Sequence, residues 1–486
     1  MKVHGFARGL ILSGLMAAWL AGKAEARNPH CAGGIQYVVQ AMRDKEKGNT
    51  EDYTREINKA VQQLGTCAAE DPVDGEAIGY LGWAYCEVDS AGPAGRAFEA
   101  AIKSLQTKGD VKKVEWVMGN RTSYWARWFN DGIGKIQSAQ QIYPDFCKKA
   151  DNDADTKLKA EAEKSYQAAE VSLTKAALLI PGDPRTARNL ASVYALRCDF
   201  PKAEAILKKA LETSPQDSSL NESLRNVRVN LAGKMAEDKN YDQAIATYSE
   251  ETKRDPSNAD IWISLASAHF NKAQSLKDDP AKAEFRLAGE SYGKASDLKA
   301  TEADLAFNAA LAYQNAHDLD KAAAWWEKAT KLKPDDTDAK SAYAAVLAEL
   351  NRCNDAIQVL HPAVVAKPQE QTLHRQLGAI YTKCGNSAKG TEELMIYLAL
   401  SKGKAAADAA SLAKAAKQGS DAAKTLASDG VPEQITEWEA DQQKWQTWFY
   451  WGKKKAYHFS TAGTLSQKSD WSQPVLAGSP PPGPKK

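Results

Sequence analysis

The chain has 486 residues, of which 43% are hydrophobic, enough apolar side chain to build a large folded core. Its formal net charge is +1, and the charged residues, 26% of the total, mix both signs along the chain. This balance gives no general attraction to nucleic acid or to an anionic membrane, and nucleic acid is not an expected partner.

The first 26 residues have the order of a secretory signal peptide. Lys2 and Arg8 precede an apolar run over residues 10–20, and an Ala-x-Ala site ends at Ala26. The run is too short to span a bilayer comfortably. We therefore expect cleavage after Ala26, export to the periplasm or cell envelope, and no transmembrane segment in the mature chain. An uncleaved anchor is the alternative.

A pattern of small and bulky apolar residues recurs over residues 27–404. Its two clearest copies lie 34 residues apart, and they contain Ala322, Trp326, Ala329 and Pro334, then Ala356, Leu360, Ala363 and Pro368. Small residues let two helices approach, the bulky residue fills the gap between them, and proline ends the unit because it cannot continue a helix. Such a unit cannot bury its apolar face alone, so it needs stacked neighbours.

This pattern resembles the tetratricopeptide repeat, a helix–turn–helix unit with the same period. The resemblance covers residues 31–404. It implies an all-α fold, a right-handed solenoid of about nine helix pairs with irregular insertions. It also implies that a peptide or protein partner binds on the concave face formed by the first helices, and that the array is not itself catalytic.

The third unit is irregular. A helix over residues 115–136 carries several aromatic side chains, which we expect to form core, with a binding groove as the alternative. A polar insertion over about residues 140–164 separates this helix from its partner. A second insertion interrupts the sixth unit at about residues 276–284.

Seven cysteines lie after the signal segment, so pairing in an oxidising compartment would leave one cysteine over. In an antiparallel helix pair, the start of the first helix lies beside the end of the second, which favours a disulfide between Cys31 and Cys67. The remaining candidates are a Cys353–Cys384 bridge between adjacent turns and a Cys147–Cys198 bridge from the insertion, which would leave Cys86 buried and free. Connectivity does not follow from sequence, so these pairs are hypotheses.

The pattern changes after residue 404. Residues 405–432 are predicted to be an alanine-rich helical linker, with one solvent-facing helix over residues 405–427. Residues 433–472 alternate aromatic and polar side chains and read as a small antiparallel β-meander, which resembles the terminal hairpin of bacterial envelope modules of the BamE/SmpA type. Such a meander is too small to be stable unless it packs on another surface. A membrane, a partner protein and the array itself are the alternatives for that surface. The proline-rich tail, residues 473–486, is predicted to be disordered.

Positions that line the family's groove map onto three first helices. They are Arg185, Arg188, Asn189 and Ser192 in the fourth unit, Phe307, Asn308 and Leu311 in the seventh, and Arg375 and Lys383 in the ninth. Arg185 and Arg188 suit a partner's carboxylate, because guanidinium groups bind it in a fork. The alternative is a solvated helix face with local ion pairs. The family's chaperone-binding branch spreads basic residues over consecutive repeats, so its activity is not implied here.

No motif indicates an enzyme, a metal or a cofactor. Residues 151–155 alternate carboxylates as calcium loops do, but Thr156 and Ala162 stand where such a loop needs glycine and glutamate, so a polar linker is expected. The histidines lack ligand spacing, and His269 is expected to pack in the core. We therefore expect a non-catalytic exported scaffold for protein–protein interaction. The alternative is a structural assembly subunit of an envelope complex that uses its insertions and C-terminal hairpin.

Overall fold

The computed structural model describes residues 27–440 and 442–476, so the expected signal peptide and residues 477–486 of the proline-rich tail lie outside the described residues. Contacts divide the chain into two units, Met1–Leu231 and Ala232–Lys486. Nowhere in the described ranges is a helix both long enough and apolar enough to cross a membrane.

The first unit consists of antiparallel helix pairs joined by short turns. Its helices are α1 (Pro29–Glu46), α2 (Thr50–Glu70), α3 (Gly75–Glu87), α4 (Ala91–Thr107), α5 (Val111–Ile142), α6 (Asp153–Leu179), α7 (Pro184–Leu196) and α8 (Phe200–Thr213), and α9 (Ser218–Glu237) begins in it.

The second unit continues the helix pairs and ends in a sheet. Its further helices are α10 (Tyr241–Arg254), α11 (Ala259–Ser275), α12 (Asp278–Leu298), α13 (Ala303–Asn315), α14 (Leu319–Leu332), α15 (Thr337–Glu349), α16 (Cys353–Ala366), α17 (Gln371–Lys383), α18 (Ser387–Lys402), α19 (Ala409–Lys414) and α20 (Asp421–Asp429). The strands are β1 (Lys404–Ala405), β2 (Gln434–Ala440), β3 (Gln443–Tyr450), β4 (Lys455–Ser460) and β5 (Leu465–Asp470). The expected class, helix pairs followed by a small antiparallel sheet, is confirmed.

The recurring small and bulky residues are the contacts between paired helices. Gly82 on α3 lies so close to Phe98 on α4 that an added Cβ would come within 2.7 Å of the ring. Trp326 on α14 is 1% exposed, and its Nε1 donates to Gln314 Oε1 on α13 at 2.9 Å. The pattern therefore marks the surface along which the two helices of a pair meet.

A residue in the left-handed region ends the first helix of most pairs. This conformation reverses the chain within three or four residues and satisfies the last carbonyls of the helix. The positions are Gly48, Asp89, Cys198, Lys239, His317, Asn351 and Gly385.

Both predicted insertions are largely helical. The connection after α5 spans only residues 143–152, because α6 begins at Asp153, where Asn152 Oδ1 accepts from Asp155 N at 2.9 Å. The alternating carboxylates therefore open a helix rather than form a loop. In the second case, α12 begins at Asp278, so only two residues separate it from α11. These helices have long polar faces, and such a polar composition is also typical of linkers.

The prediction of a single helix over residues 405–427 is wrong. Lys404 and Ala405 pair with β2, and two short helices, α19 and α20, follow. Gly419, at φ +83°, and the cap at Ser420, whose Oγ accepts from Ala423 N at 3.2 Å, separate the two helices. Nor does the segment simply face solvent: Ala413 and Ala422 are buried against the sheet.

The five strands form one antiparallel sheet in the order β1-β2-β3-β4-β5. A line of buried side chains crosses four of them by hydrogen bonds. Trp438 Nε1 donates to Thr447 Oγ1 at 2.8 Å, and that hydroxyl lies 2.8 Å from His458 Nδ1. His458 Nε2 lies 3.0 Å from Ser469 Oγ, which donates at 3.1 Å to the carbonyl of Glu392 on α18. We name this line the polar chain of the sheet.

The sheet packs on the last helix pairs of the same unit. Trp438, Phe449 and Trp471 belong to one apolar cluster with residues of α16, α17 and α18. His361 Nε2 donates to the carbonyl of Trp471 at 3.0 Å. The sequence left open whether the meander contacts a membrane, a partner or the array. It contacts the array, which explains how so small a sheet is stable.

Three disulfides are present in the described residues. They join Cys31 to Cys67, Cys147 to Cys198, and Cys353 to Cys384, and Cys86 remains a buried free thiol. The second bridge ties the α5–α6 connection to the turn between α7 and α8.

Candidate protein-binding surfaces

The four groove candidates of the fourth unit lie together on α7. Asp183 begins this helix, because its Oδ1 accepts from Thr186 N at 2.9 Å. Arg185 is already engaged: it contacts Asp183 at 2.9 Å, and its guanidinium lies 4.3 Å from the centre of the Trp125 ring. Arg188 is half-buried, and among the described residues it has no hydrogen bond or ion pair. Arg188 is therefore the α7 cation left for a partner.

Asn189 and Ser192 flank this cation. Both are half-buried, and Asn189 Nδ2 donates to the carbonyl of Arg185 at 2.8 Å, which leaves its amide oxygen for other contacts. Backbone hydrogen bonding at Leu220 and, more weakly, the charge of Arg188 lower the pKa of Asp217.

The groove candidates of the seventh and ninth repeats lie on two helices, α13 and α17. On α13, Phe307 packs edge-on against Trp326 with ring centres 4.7 Å apart, and Leu311 lies on the same apolar cluster, so both contribute to the core as well as to the surface. Asn308 between them is half-buried. On α17, Arg375 is exposed, 5.9 Å from the centre of the Tyr397 ring, and Lys383 is exposed beside the Cys384 disulfide.

The aromatic residues of α5 are mostly core, as expected. Trp125, Trp128 and Phe129 are each at most 8% exposed. Trp125 Nε1 donates to Thr186 Oγ1 at 2.9 Å, which joins α5 to α7. These rings mainly hold neighbouring helices together, and Trp128 also forms part of a groove wall.

Sequence reasoning missed a cluster of side chains around one carboxylate, that of Glu87 at the end of α3. Glu87 accepts hydrogen bonds from the hydroxyls of Tyr53 and Tyr124 and from Lys45 Nζ at 2.6 Å. Burial alone would raise the pKa of Glu87, but these donors outweigh it and lower the pKa. The four side chains come from four helices, α1, α2, α3 and α5, so no local sequence pattern could reveal the cluster.

A second missed feature is a surface groove between α5 and α6, which we name the α5/α6 groove. Its cavity has a volume of about 440 Å³, and Arg127, Asp131 and Lys135 on α5 and Val171 and Lys175 on α6 line it. The signal was present in the sequence, because residues 127, 131 and 135 are spaced four apart and so share one face of a helix.

Neither the histidines nor the cysteines assemble a metal or catalytic centre in the part of the chain described. His269 is buried and pairs with Glu284 at 2.6 Å, as expected for packing. Cys31, Cys67 and Asp74 are close enough to share an ion, but the two sulfurs form a disulfide and cannot act as thiolate ligands.

Comparison with known proteins agrees with the repeat pattern. Residues 160–225 match the family described as tetratricopeptide repeat. No curated protein sequence matches the chain.

Solved structures similar to parts of the chain are of low identity. The crystal structure of MamA is 18% identical, with a TM-score of 0.31, covering 36% of this chain and 90% of its own. YrrB, titled a TPR protein with an unusual peptide-binding site, is 17% identical, with a TM-score of 0.31. The match covers 40% of this chain and 92% of YrrB. The thermophilic TPR protein TTC0263 from Thermus thermophilus is 20% identical, with a TM-score of 0.24, covering 41% and 99%.

Proposed function

We propose that this tetratricopeptide-repeat protein is a non-catalytic scaffold of the cell envelope, which binds a protein or peptide partner through its first helices. Repeats of this kind generally serve protein–protein interaction, since stacked helix pairs offer an extended surface to a partner. Fold alone does not decide function, so the proposal rests on particular side chains.

The observation that carries the proposal is the state of Arg188. It is a half-buried residue on a first helix, without a hydrogen-bond or ion-pair partner in the described part of the chain, and two half-buried polar residues, Asn189 and Ser192, flank it. A guanidinium without such a partner gains charge-assisted hydrogen bonds from a carboxylate or carbonyl oxygen that a binding protein supplies. Neighbouring Arg185 lacks this capacity, because Asp183 already holds it.

Export is the second part of the proposal. The Ala-x-Ala site that ends at Ala26 supports it, and so do the three disulfides, which form and persist in oxidising compartments. We place the mature chain in the periplasm or associated with the envelope. N-terminal sequencing of the secreted protein tests this: a chain that begins at Arg27 supports it, and one that retains Met1 contradicts it.

Crosslinking and pull-down from the native envelope test the binding surface. The baits are the mature chain, its Arg188→Glu variant, and the control Lys209→Glu on the exposed side of the second helix α8. We expect Arg188→Glu to lose partners that the control retains. If both variants capture the same partners as the wild type, α7 is not the interface. Truncation after Lys404 is a poorer test, because removing the sheet would uncover apolar residues of α16–α18.

The alternative, a structural assembly subunit, is favoured by the α5/α6 groove, a surface outside the first-helix candidates. The C-terminal hairpin supports it less, since Trp438, Phe449 and Trp471 are already buried against the array. An assembly role predicts that substitutions in the groove, rather than Arg188→Glu, release the chain from its complex.

A further inference from the structure

The length of α5 creates a helix face that its neighbours leave uncovered. This helix has 32 residues, whereas α3 and α7 have 13 each. Its first half meets α3, where Gly79 lies against Val117, and its second half meets α6, where Gly132 lies against Leu173. The α5/α6 groove opens beside that second half, and Arg127 is exposed at one end of it.

The charges in the groove are predominantly positive. Arg127, Lys135 and Lys175 line it with a single carboxylate, Asp131. Asp131 is already neutralised, because Lys135 Nζ lies 2.6 Å away and the Ser172 hydroxyl donates to it at 2.5 Å. Lys175 contacts Asp89 in the turn between α3 and α4. Arg127 has no acceptor in the described ranges, so its guanidinium is available to an anion.

The groove also has an apolar wall. Val171 and Ala168 on α6 and the Trp128 ring on α5 form it, and Val171 is 53% exposed. Leu178, which is 47% exposed, lies two turns farther along the same side of α6, beyond the groove lining. Lys164 and Lys175 share this face, so aliphatic and cationic side chains alternate along it. An exposed aliphatic side chain that lines a groove between two helices gives the apolar face of another helix a contact point.

We infer that the α5/α6 groove binds an acidic amphipathic helix of a partner protein. The helix would place a carboxylate on Arg127 and aliphatic side chains on Val171 and, beyond the groove, on Leu178. Two antiparallel helices present a furrow that a third helix fills by ridge-into-groove packing, and the positive charge selects an acidic occupant. The inference rests on the proposed binding of proteins, but it uses a face distinct from α7.

A displayed library of random 16-residue peptides, selected on the mature chain, tests the inference. We expect enrichment of peptides with Asp or Glu and aliphatic residues at helical spacing, and binding weakened roughly tenfold by Arg127→Gln and by Val171→Asp. The control Lys112→Gln, an exposed cation on the first half of α5, leaves binding unchanged. Far-UV circular dichroism of each variant verifies that the helices remain folded.

The outcomes separate this inference from the proposed function. Peptides that depend on Arg127 and not on Arg188 support the groove. Selected peptides that lack acidic residues, or that bind Arg127→Gln as well as the wild type, overturn it, and so does a selection that yields no binders. Peptides that depend on Arg188 alone support the first-helix surface and overturn the groove.

Discussion

Acidification should loosen the C-terminal sheet through one side chain, His458. This histidine is fully buried, and its two ring nitrogens face the hydroxyls of Thr447 and Ser469. The Ser469 hydroxyl donates to the Glu392 carbonyl, so its oxygen accepts from Nε2, which carries the ring proton. Nδ1 is then the acceptor of the Thr447 hydroxyl hydrogen. The polar chain therefore fits neutral imidazole only, since a proton on Nδ1 would face a donor.

The magnitude follows from the pKa. Burial lowers the pKa of His458 to about 3, whereas an unfolded histidine titrates near 6.5. The unfolded state therefore binds the proton more readily, so this contribution to stability is complete above about pH 6.5 and declines as the pH falls toward about 3. At about pH 4.5, some two pH units below the unfolded pKa, the loss approaches ~2.7 kcal/mol.

The assay is urea unfolding at about pH 7 and about pH 4.5, followed by a hydrogen-exchange pulse at one common pH and mass spectrometry of peptides from residues 434–470. The variant is His458→Gln, whose amide can accept and donate but does not titrate. Between the two pH values, the wild type should lose ~2–3 kcal/mol more than the variant, while the other titrating groups cancel. His317→Asn, at an exposed turn, is the control and should behave as the wild type. Equal pH dependence in the wild type and His458→Gln would refute the reasoning.

Two further predictions concern the helices and the disulfides. Gly95→Ala should destabilise the first unit by ~2 kcal/mol or more, because the new Cβ would overlap the carbonyl oxygen of Leu178. Gly119→Ala, with no atom within 4 Å of its Cβ, should be neutral or slightly stabilising in the same urea titration; equal loss in both variants would contradict the close approach of α4 to α6. A non-reducing peptide map of the exported chain should contain the 31–67, 147–198 and 353–384 links and an unmodified Cys86 that reacts with thiol reagents only after denaturation; any other link would exclude this pairing.

The repeat was predictable from sequence because its contacts are local. Small residues at fixed spacing, as in Ala322 and Ala329, act within one helix pair, so period and packing appear together in the chain. Helix length was less predictable. The polar side chains of residues 153–164 and 278–284 suit an exposed helix as well as a loop, and their helices are set by contacts with distant neighbours.

Features built from several elements could not be predicted. The pattern favoured His269 as a packed residue, but nothing local to His458 indicates Ser469, or Glu392 on another element. The α5/α6 groove depends on which faces the neighbouring helices leave open. The candidates on α7, α13 and α17 stay predictions, although the structure already separates Arg185, which has a partner, from Arg188.

The sheet that covers the last helix pairs also bears on self-association. Every unit of a stacked array presents an apolar face to the next, so an array that simply stopped would leave a face to which a second copy could add. Head-to-tail addition of this kind does not close on itself and leads to filaments. Here Trp471 and Phe449 occupy that face from within the same chain. Because the outer side of the sheet does not resemble a helix pair, we expect it to prevent a second copy from stacking on these helices.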